Sequence, residues 1–301
     1  MPDKTPLPTV RQLLTVNAKR LQPKSIVCQA DRDLGWFEAE VLLAHALRRD
    51  RAWLIAHEDE PVRTASARRF KMFVTRRAKH EPVAYILGEK DFFGRTFRVS
   101  KWTLIPRPET ELLVELAKTH VRSNEDVIIL DVGTGSGAVA VTLAIELPQC
   151  DVIATDVSTK AIKVADGNAQ RFEVDDRMRI LKADLLDANV IRLIKRTHDA
   201  SLIIVANLPY LPSSDKRKLE PDVVKFEPGN ALFAGADGLA VITRFLKQLA
   251  SSGLKPRASF LEFDPPQSKK LLALAKKLFP ASRAKIHKDL AGRNRVLEIS
   301  S

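Results

Sequence analysis

"VIILDVGTGSGAVAVTLAIEL", residues 127–147, runs through a nearly unbroken apolar stretch, turns on Gly133, Gly135 and Gly137, and continues apolar beyond them. A short apolar run that ends in glycines and resumes at helical length reads as a strand, a tight turn and a helix. Glycines at that turn let the backbone bend sharply and approach a ligand closely, while the helix N-terminus offers free amide donors. An adenosine-containing cofactor fits such a turn, although nucleotide-binding dehydrogenases place glycines there too.

The same alternation continues outward through "DVIATD", "TKAIKVADGNAQRF", "MRILKADLL" and "SLIIVANLPY". Apolar strands alternating with helices predict a mostly parallel sheet covered on both faces. "ASFLEFD" and "NRVLEIS" are read as two closing strands around the helix "SKKLLALAKKLF". Open sheets of this kind bind ligands at the carboxyl ends of their strands, so strand-end residues are the candidates for chemistry. Asp156 ends the second strand, where an acid can accept both hydroxyls of a ribose or can cap the next helix; both roles are open. Asp184 ends the third, within reach of an adenine amino group.

The fourth strand ends in Asn207, Leu208, Pro209 and Tyr210. Asn and Pro form turns, but a turn needs one or two such residues, and this one adds an aromatic. Together they form a grip for a flat, nitrogen-bearing group. The lone pair of an amide or exocyclic amine is spread into a π system, which makes it a poor nucleophile. If the Asn207 side-chain oxygen and the Leu208 carbonyl each accept one N–H, that lone pair is oriented and developing positive charge is stabilised. Tyr210 can stack on the planar group. Neither a metal nor a strong base is required, because the proton becomes acidic once the nitrogen is alkylated.

Upstream, Val10, Leu13, Leu14 and Leu21 recur near a 3.6-residue period, as do Phe37, Val41, Leu42 and Ala44, and then Phe70, Phe73 and Val74. This predicts a helical bundle over residues 1–82, with Phe37 packed in its core beside Trp36 and Trp53. "YILGEKDFFGRTFRVS" then predicts a hairpin about Gly94 and Arg95, within a linker spanning residues 83–106. Residues 107–301 form the sheet domain. In "IPRPETELLVELA" Pro108 suits the first helical position and Glu109 and Glu111 suit the positive end of the dipole.

The 301 residues are 45% hydrophobic, enough for one large or two ordinary domains. No apolar run reaches the ~18–20 residues that span a bilayer, and the first residues lack a leader pattern, so membrane insertion and secretion are not expected. Cys28 and Cys150 have no metal-ligand companion, which fits a reducing cytoplasm. His45, His57 and the other histidines lack ligand spacing. "DPPQ", Asp264 to Gln267, imitates a catalytic signature without its aromatic and is read as structural. A formal charge of +12 serves either solubility or attraction to a polyanion such as RNA or a ribosome.

With the glycine turn, Asp156 and "NLPY" in place, the chain resembles a class I S-adenosylmethionine methyltransferase of the amino-methylating group. Within it the chain is most similar to the peptide chain release factor glutamine N5-methyltransferases, the PrmC/HemK family. "RRAKHEPVAYILGEKDFFGRTFRVSKWTLIPRPETELLVELA", "ILDVGTGSGAVAVTLA", "FEPGNALFAGADGL" and "DLAGRNRVLEI" stand in that family's order and spacing. The resemblance implies a Rossmann-like α/β domain preceded by a small helical domain and a linking β-hairpin. It implies S-adenosylmethionine as cofactor, lined by Gly133, Thr134, Gly135, Ser136, Gly137, Asp156, Asp184, Leu185 and Asn207. Asn207, Leu208, Pro209 and Tyr210 would hold the glutamine of a release factor's Gly-Gly-Gln loop. The family's usual sequence is Asn-Pro-Pro-Tyr. Leu208 stands in for the first proline, and Asn-Leu-Pro-Tyr also resembles rRNA adenine dimethyltransferases. An adenine-N6 methyltransferase acting on RNA or DNA is therefore the alternative, and a non-catalytic cofactor-binding adapter a third class.

Overall fold

The computed structural model describes residues 6–22, 29–122, 125–197 and 200–301, with side chains of 29–34 left aside. Cys28 lies outside the described residues. The chain divides into two units, Met1–Gly88 with Pro221–Phe226, and Glu89–Glu220 with Glu227–Ser301. No helix among the described residues is long and apolar enough to cross a membrane.

The first unit contains α1 (Val10–Leu21), α2 (Gln29–Leu47), α3 (Arg51–Ala56), α4 (Thr64–Arg77) and α5 (Val83–Leu87). Thr9 and Gln12 form a capping box that satisfies two amides at the start of α1. Val10, Leu13, Leu14, Leu42, Phe70, Phe73 and Val74 form its core, as their spacing predicts. Phe37 departs from that expectation: it is 47% exposed, with the Arg51 guanidinium 4.4 Å from its ring centroid. The buried face of α2 runs through Ala39, Leu42, Leu43 and Ala46. Phe37 precedes Ala39 by two residues, which places it roughly 200° around the helix from that face.

In the stretch 83–106, anticipated as hairpin and linker, residues 83–87 are helical and group with the first unit. The hairpin itself is β1 (Glu89–Phe92) and β2 (Arg95–Arg98), joined through Phe93 and Gly94. Both turn residues have positive φ, the type I′ geometry that matches strand twist.

The second unit continues with α6 (Glu111–Lys118), β3 (Val127–Val132), α7 (Ala138–Glu146), β4 (Asp151–Asp156), α8 (Thr159–Arg171), β5 (Met178–Lys182), α9 (Ala188–Lys195) and β6 (Ser201–Ala206). After α10 (Pro221–Phe226), which groups with the first unit, come α11 (Gly229–Leu232), α12 (Ala240–Ser252), β7 (Ala258–Glu262), α13 (Ser268–Leu278), β8 (Arg283–Lys288) and β9 (Asn294–Ser300). The sheet order is β5-β4-β3-β6-β7-β9-β8, with β9 antiparallel to both its neighbours and the other pairs parallel. Alternate residues of β3 feed opposite faces. Val127 and Ile129 pack with α6 and α7, whereas Ile128, Leu130 and Val132 pack with α9, α12 and α13. β8, absent from the two closing strands read in the sequence, is a charged edge strand, "RAKIHK", with only half-buried residues on its inner face.

Asn168 of α8, fully buried, ties the hairpin to the glycine turn. Its amide donates to the Arg98 and Ser136 carbonyls at 2.9 and 2.8 Å and its oxygen accepts from the Arg98 amide at 2.9 Å. Asn168→Ala would strand three backbone groups in an apolar interior, so urea denaturation should register a loss of about 3 kcal/mol or more.

Candidate functional site

From β3 the chain moves outward to β4 and β5, then returns to β6 on the other side of β3. The crevice beyond the strand ends at that reversal is where such sheets take ligands. A cleft opens there, lined by Gly133 to Ser136, Asp156, Asp184, Leu185, Asn207, Leu208 and Pro209, together with Phe92, Trp102, Pro106 and Thr110.

The glycine turn is held by its neighbouring strand. Gly133 and Thr134 amides donate to the Thr155 carbonyl at 2.8 Å, and the Gly135 amide donates to Asp156 Oδ2 at 2.9 Å. Gly133 has φ +79° and a Cβ there would meet Leu208 Cδ2 at 3.1 Å. At Gly135, φ +58°, a Cβ would meet nothing within 4 Å, because the backbone faces the cleft. Asp156 also accepts the Ser158 amide at 2.8 Å. It is not the cap of α8, since Ser158 occupies that position and accepts from the Ala161 amide. Burial raises the Asp156 carboxyl above its ordinary range against the opposing pull of those amides.

Asp184 lines the cleft, but its carboxylate is forked to Arg244 at 2.7 and 2.8 Å. Exposed Val157 and Trp102 add apolar surface at the cleft rim, with the Lys160 ammonium 3.4 Å from the Trp102 ring centroid.

Asn207 faces the cleft and its Nδ2 donates to Thr110 Oγ1 at 3.0 Å. Leu208 is 3% exposed and packs into the core with Leu130, Val132 and Ala206. Tyr210 is not among the cleft-lining residues. Its hydroxyl donates to Glu262 Oε1 at 2.9 Å and its carbonyl accepts from Gln267 Nε2 at 2.7 Å. Burial pushes both the Tyr210 phenol and the Glu262 carboxyl up. "DPPQ" is thus a 3₁₀ turn whose Gln267 braces Tyr210. Glu227, buried in the "FEPGNALF" stretch, accepts from Arg107 at 2.5 Å and from the Ile105 amide at 3.2 Å, which joins that stretch to "IPRPETE". Thr110, Asp131 and Glu262 were not singled out by sequence, since an isolated Thr, Asp or Glu carries no local signal, whereas Gln267 was noted only as part of the structural "DPPQ". No cluster of metal-ligating side chains occurs among the described residues.

Asp131, on β3 beneath the turn, accepts the Thr134 hydroxyl at 2.7 Å, yet burial pushes its carboxyl up to about 7 from an ordinary 3.8. The folded chain therefore keeps a proton that the unfolded chain releases. The stabilisation from that proton is complete below the unfolded value and fades as pH climbs through the folded one. Relative to Asp131→Asn, the wild-type chain should lose stability between about pH 4 and 7, read from denaturation at several pH values; parallel curves would contradict this.

The PrmC N-terminal domain family matches residues 27–88, and the ribosomal protein L11 methyltransferase (PrmA) family matches residues 107–209. The chain is 38% identical to the release factor glutamine methyltransferase of Bordetella pertussis over 269 residues, covering 89% of this chain and 95% of that protein. It is 36% identical to that of Coxiella burnetii, covering 79% and 82%. A bifunctional methyltransferase of Rickettsia prowazekii is 34% identical over 89% of this chain, which spans 54% of that longer protein. Among solved structures, the hMettl16 catalytic domain in complex with MAT2A 3'UTR hairpin 6 superposes with a TM-score of 0.53 at 16% identity, covering 76% of this chain and 81% of that one. The human methyltransferase 10 domain containing protein does so at 0.50 and 16%, covering 69% and 89%. At such identities these two share the fold alone. Matched in sequence over nearly its whole length, the chain belongs to the release factor glutamine methyltransferase family.

Proposed function

We propose that this protein transfers a methyl group from S-adenosylmethionine to the side-chain amide nitrogen of the glutamine in the Gly-Gly-Gln loop of peptide chain release factors. The observation that carries this reading is the Asn207 amide, anchored through its nitrogen on Thr110 at the edge of the cleft that also contains the glycine turn. An amide so anchored has its oxygen available to accept an N–H.

The cleft fits the cofactor. Gly135 leaves room where a side chain would stand, and Asp156 offers carboxylate oxygens suited to ribose hydroxyls beside exposed Val157. Gly133, Thr134, Gly135, Ser136, Gly137, Asp156, Leu185 and the backbone of Asp184 would hold it. When bound, its sulfonium supplies an electrophilic methyl group. Asn207 Oδ1 and the Leu208 carbonyl accept the two N–H groups of the glutamine amide and orient its lone pair, while Pro209 shapes the wall. They oppose the charge that develops on nitrogen, which is worth most in a site that excludes water. Tyr210 serves by fixing this turn from behind. The nitrogen's surplus proton is acidic enough to leave to solvent.

Residues 1–82 act as the docking domain for the release factor, 83–106 as the link and 107–301 as the transfer domain. Exposed Trp36, Phe37, Ile55 and Met72 support a docking role for the helical unit. A partner that works in translation and the free, buried Cys150 support a cytoplasmic setting. Incubating the protein with labelled S-adenosylmethionine and either a release factor or bulk RNA tests the acceptor: label in RNA with an unmodified release factor would defeat it.

Asn207→Ala should lower kcat about 10²- to 10³-fold, the range for groups that meet charge as it develops, while the melting temperature holds. A kcat within threefold of wild type would remove Asn207 from this role. Leu208→Pro keeps the carbonyl at 208 and removes an amide that makes no hydrogen bond among the described residues. Methylation of the Gly-Gly-Gln loop should persist, with stability lowered by about 1–3 kcal/mol because a buried leucine is lost.

A further inference from the structure

The proposed chemistry requires Asn207 to turn its oxygen, not its nitrogen, towards the acceptor. The two ends of an amide have nearly the same shape, so hydrogen bonding must choose between them. In the structure that choice rests on Nδ2 donating to Thr110 Oγ1 at 3.0 Å. A hydroxyl does not settle it alone, since Thr110 could equally donate its own proton to a flipped Asn207. Thr110 is 4% exposed, so bulk water does not compete for that proton.

The neighbour that can take it is Glu262, the last residue of β7, itself 1% exposed. Oε1 receives the Tyr210 hydroxyl at 2.9 Å. Oε2 is buried and makes no hydrogen bond among the described residues, and the hydroxyls of Thr110 and Tyr210 are the side-chain groups that favour the charged carboxylate. An ionised carboxylate only accepts.

We propose that Glu262 is a positioning residue: its carboxylate draws the Thr110 hydroxyl proton to Oε2, so that Thr110 Oγ1 must accept from Asn207 Nδ2 and Asn207 Oδ1 is left facing the cleft. This rests on the methyl-transfer reading for its consequence, but the hydrogen-bond polarity is a property of the chain itself. A protonated Glu262 could instead donate to Thr110 and release the hydroxyl to hold Asn207 the wrong way round. Burial raises the Glu262 carboxyl, nearby Glu109 adds to this, and Thr110, Tyr210 and Arg295 oppose it. Activity should therefore have an acid limb, rising as Glu262 ionises.

Four proteins test this: wild type, Thr110→Ser, Thr110→Val and Glu262→Gln. Glutamine puts an NH2 donor in place of one carboxylate oxygen, so it cannot offer an acceptor at both the Tyr210 and the Thr110 positions. Thr110→Ser should stay within threefold of wild-type kcat. Thr110→Val and Glu262→Gln should each lose about tenfold or more, with cofactor affinity within twofold, and Glu262→Gln should lack the acid limb. In asparagine-labelled protein, NMR should show the Asn207 amide protons protected from exchange in wild type and Thr110→Ser but not in the other two. Wild-type kcat or retained protection in Thr110→Val would overturn the proposal, as would a wild-type pH profile in Glu262→Gln. If Glu262→Gln does not fold, the contrast between serine and valine at 110 decides. If the wild-type protein leaves a release factor unmethylated, the functional reading falls, and amide-proton protection decides the role of Glu262 by itself.

Discussion

A side chain at residue 133 would crowd Leu208 and strain the backbone: a Cβ there would stand 3.1 Å from Leu208 Cδ2, at a φ of +79°. β3 and β6 run parallel with Val132 opposite Ala206, so the two turns that follow them leave the sheet side by side. That register and that missing side chain let the glycine turn and the Asn207 turn share one cleft. The glycine turn is then fixed from its other side by Thr155 and Asp156 of β4. Three adjacent strands thus set the positions of the amides and carboxylates before any ligand arrives. Groups placed in advance need not reorganise when charge develops, which is the physical advantage of building a site on strand ends.

Behind the Asn207 turn the packing is polar, and that is costly. Glu262 and Tyr210 are both buried, and both are pushed towards their neutral forms by lost hydration. A hydrophobic pair of similar volume would stabilise the fold at least as well. What the polar groups add is direction, because a hydrogen bond fixes which end of an amide or hydroxyl points where, and apolar packing does not. Gln267 extends the same bracing to the Tyr210 carbonyl, so both ends of the Asn207–Tyr210 turn are anchored by side chains from outside it.

The sheet was legible because its central strands are buried on both faces: every residue of β3 is buried, which favours an apolar run, broken in β3 by Asp131 alone. β8 was not legible, since an edge strand keeps one face in water and its alternation of Ala284, Ile286 and charged residues is too sparse to stand out. Phe37 misled for a related reason. An aromatic near the right period reads as core, but its place on the helix circumference is fixed by which neighbours bury, and Ala39, Leu42 and Leu43 claimed that face. In the site, the glycines and Asn207–Tyr210 stood out because unusual residue types are adjacent in sequence. Thr110, Glu262 and Gln267 reach the same turn from 97, 52 and 57 residues away, and no local pattern announces a contact made through tertiary folding.

Leu208 shows how sequence likeness and physical cause can separate. Read along the chain, Asn-Leu-Pro-Tyr resembles the adenine-methylating form of the motif, and Leu208 becomes an argument about the acceptor. In the folded chain its side chain is buried against Gly133 and among Leu130, Val132 and Ala206. A side chain in that position answers to the packing of β3 and β6 even though residue 208 also lines the cleft. The main-chain carbonyl of residue 208 is one that leucine and proline supply alike. Packing against Gly133 therefore accounts for the leucine, and its difference from proline is not by itself an argument about the acceptor.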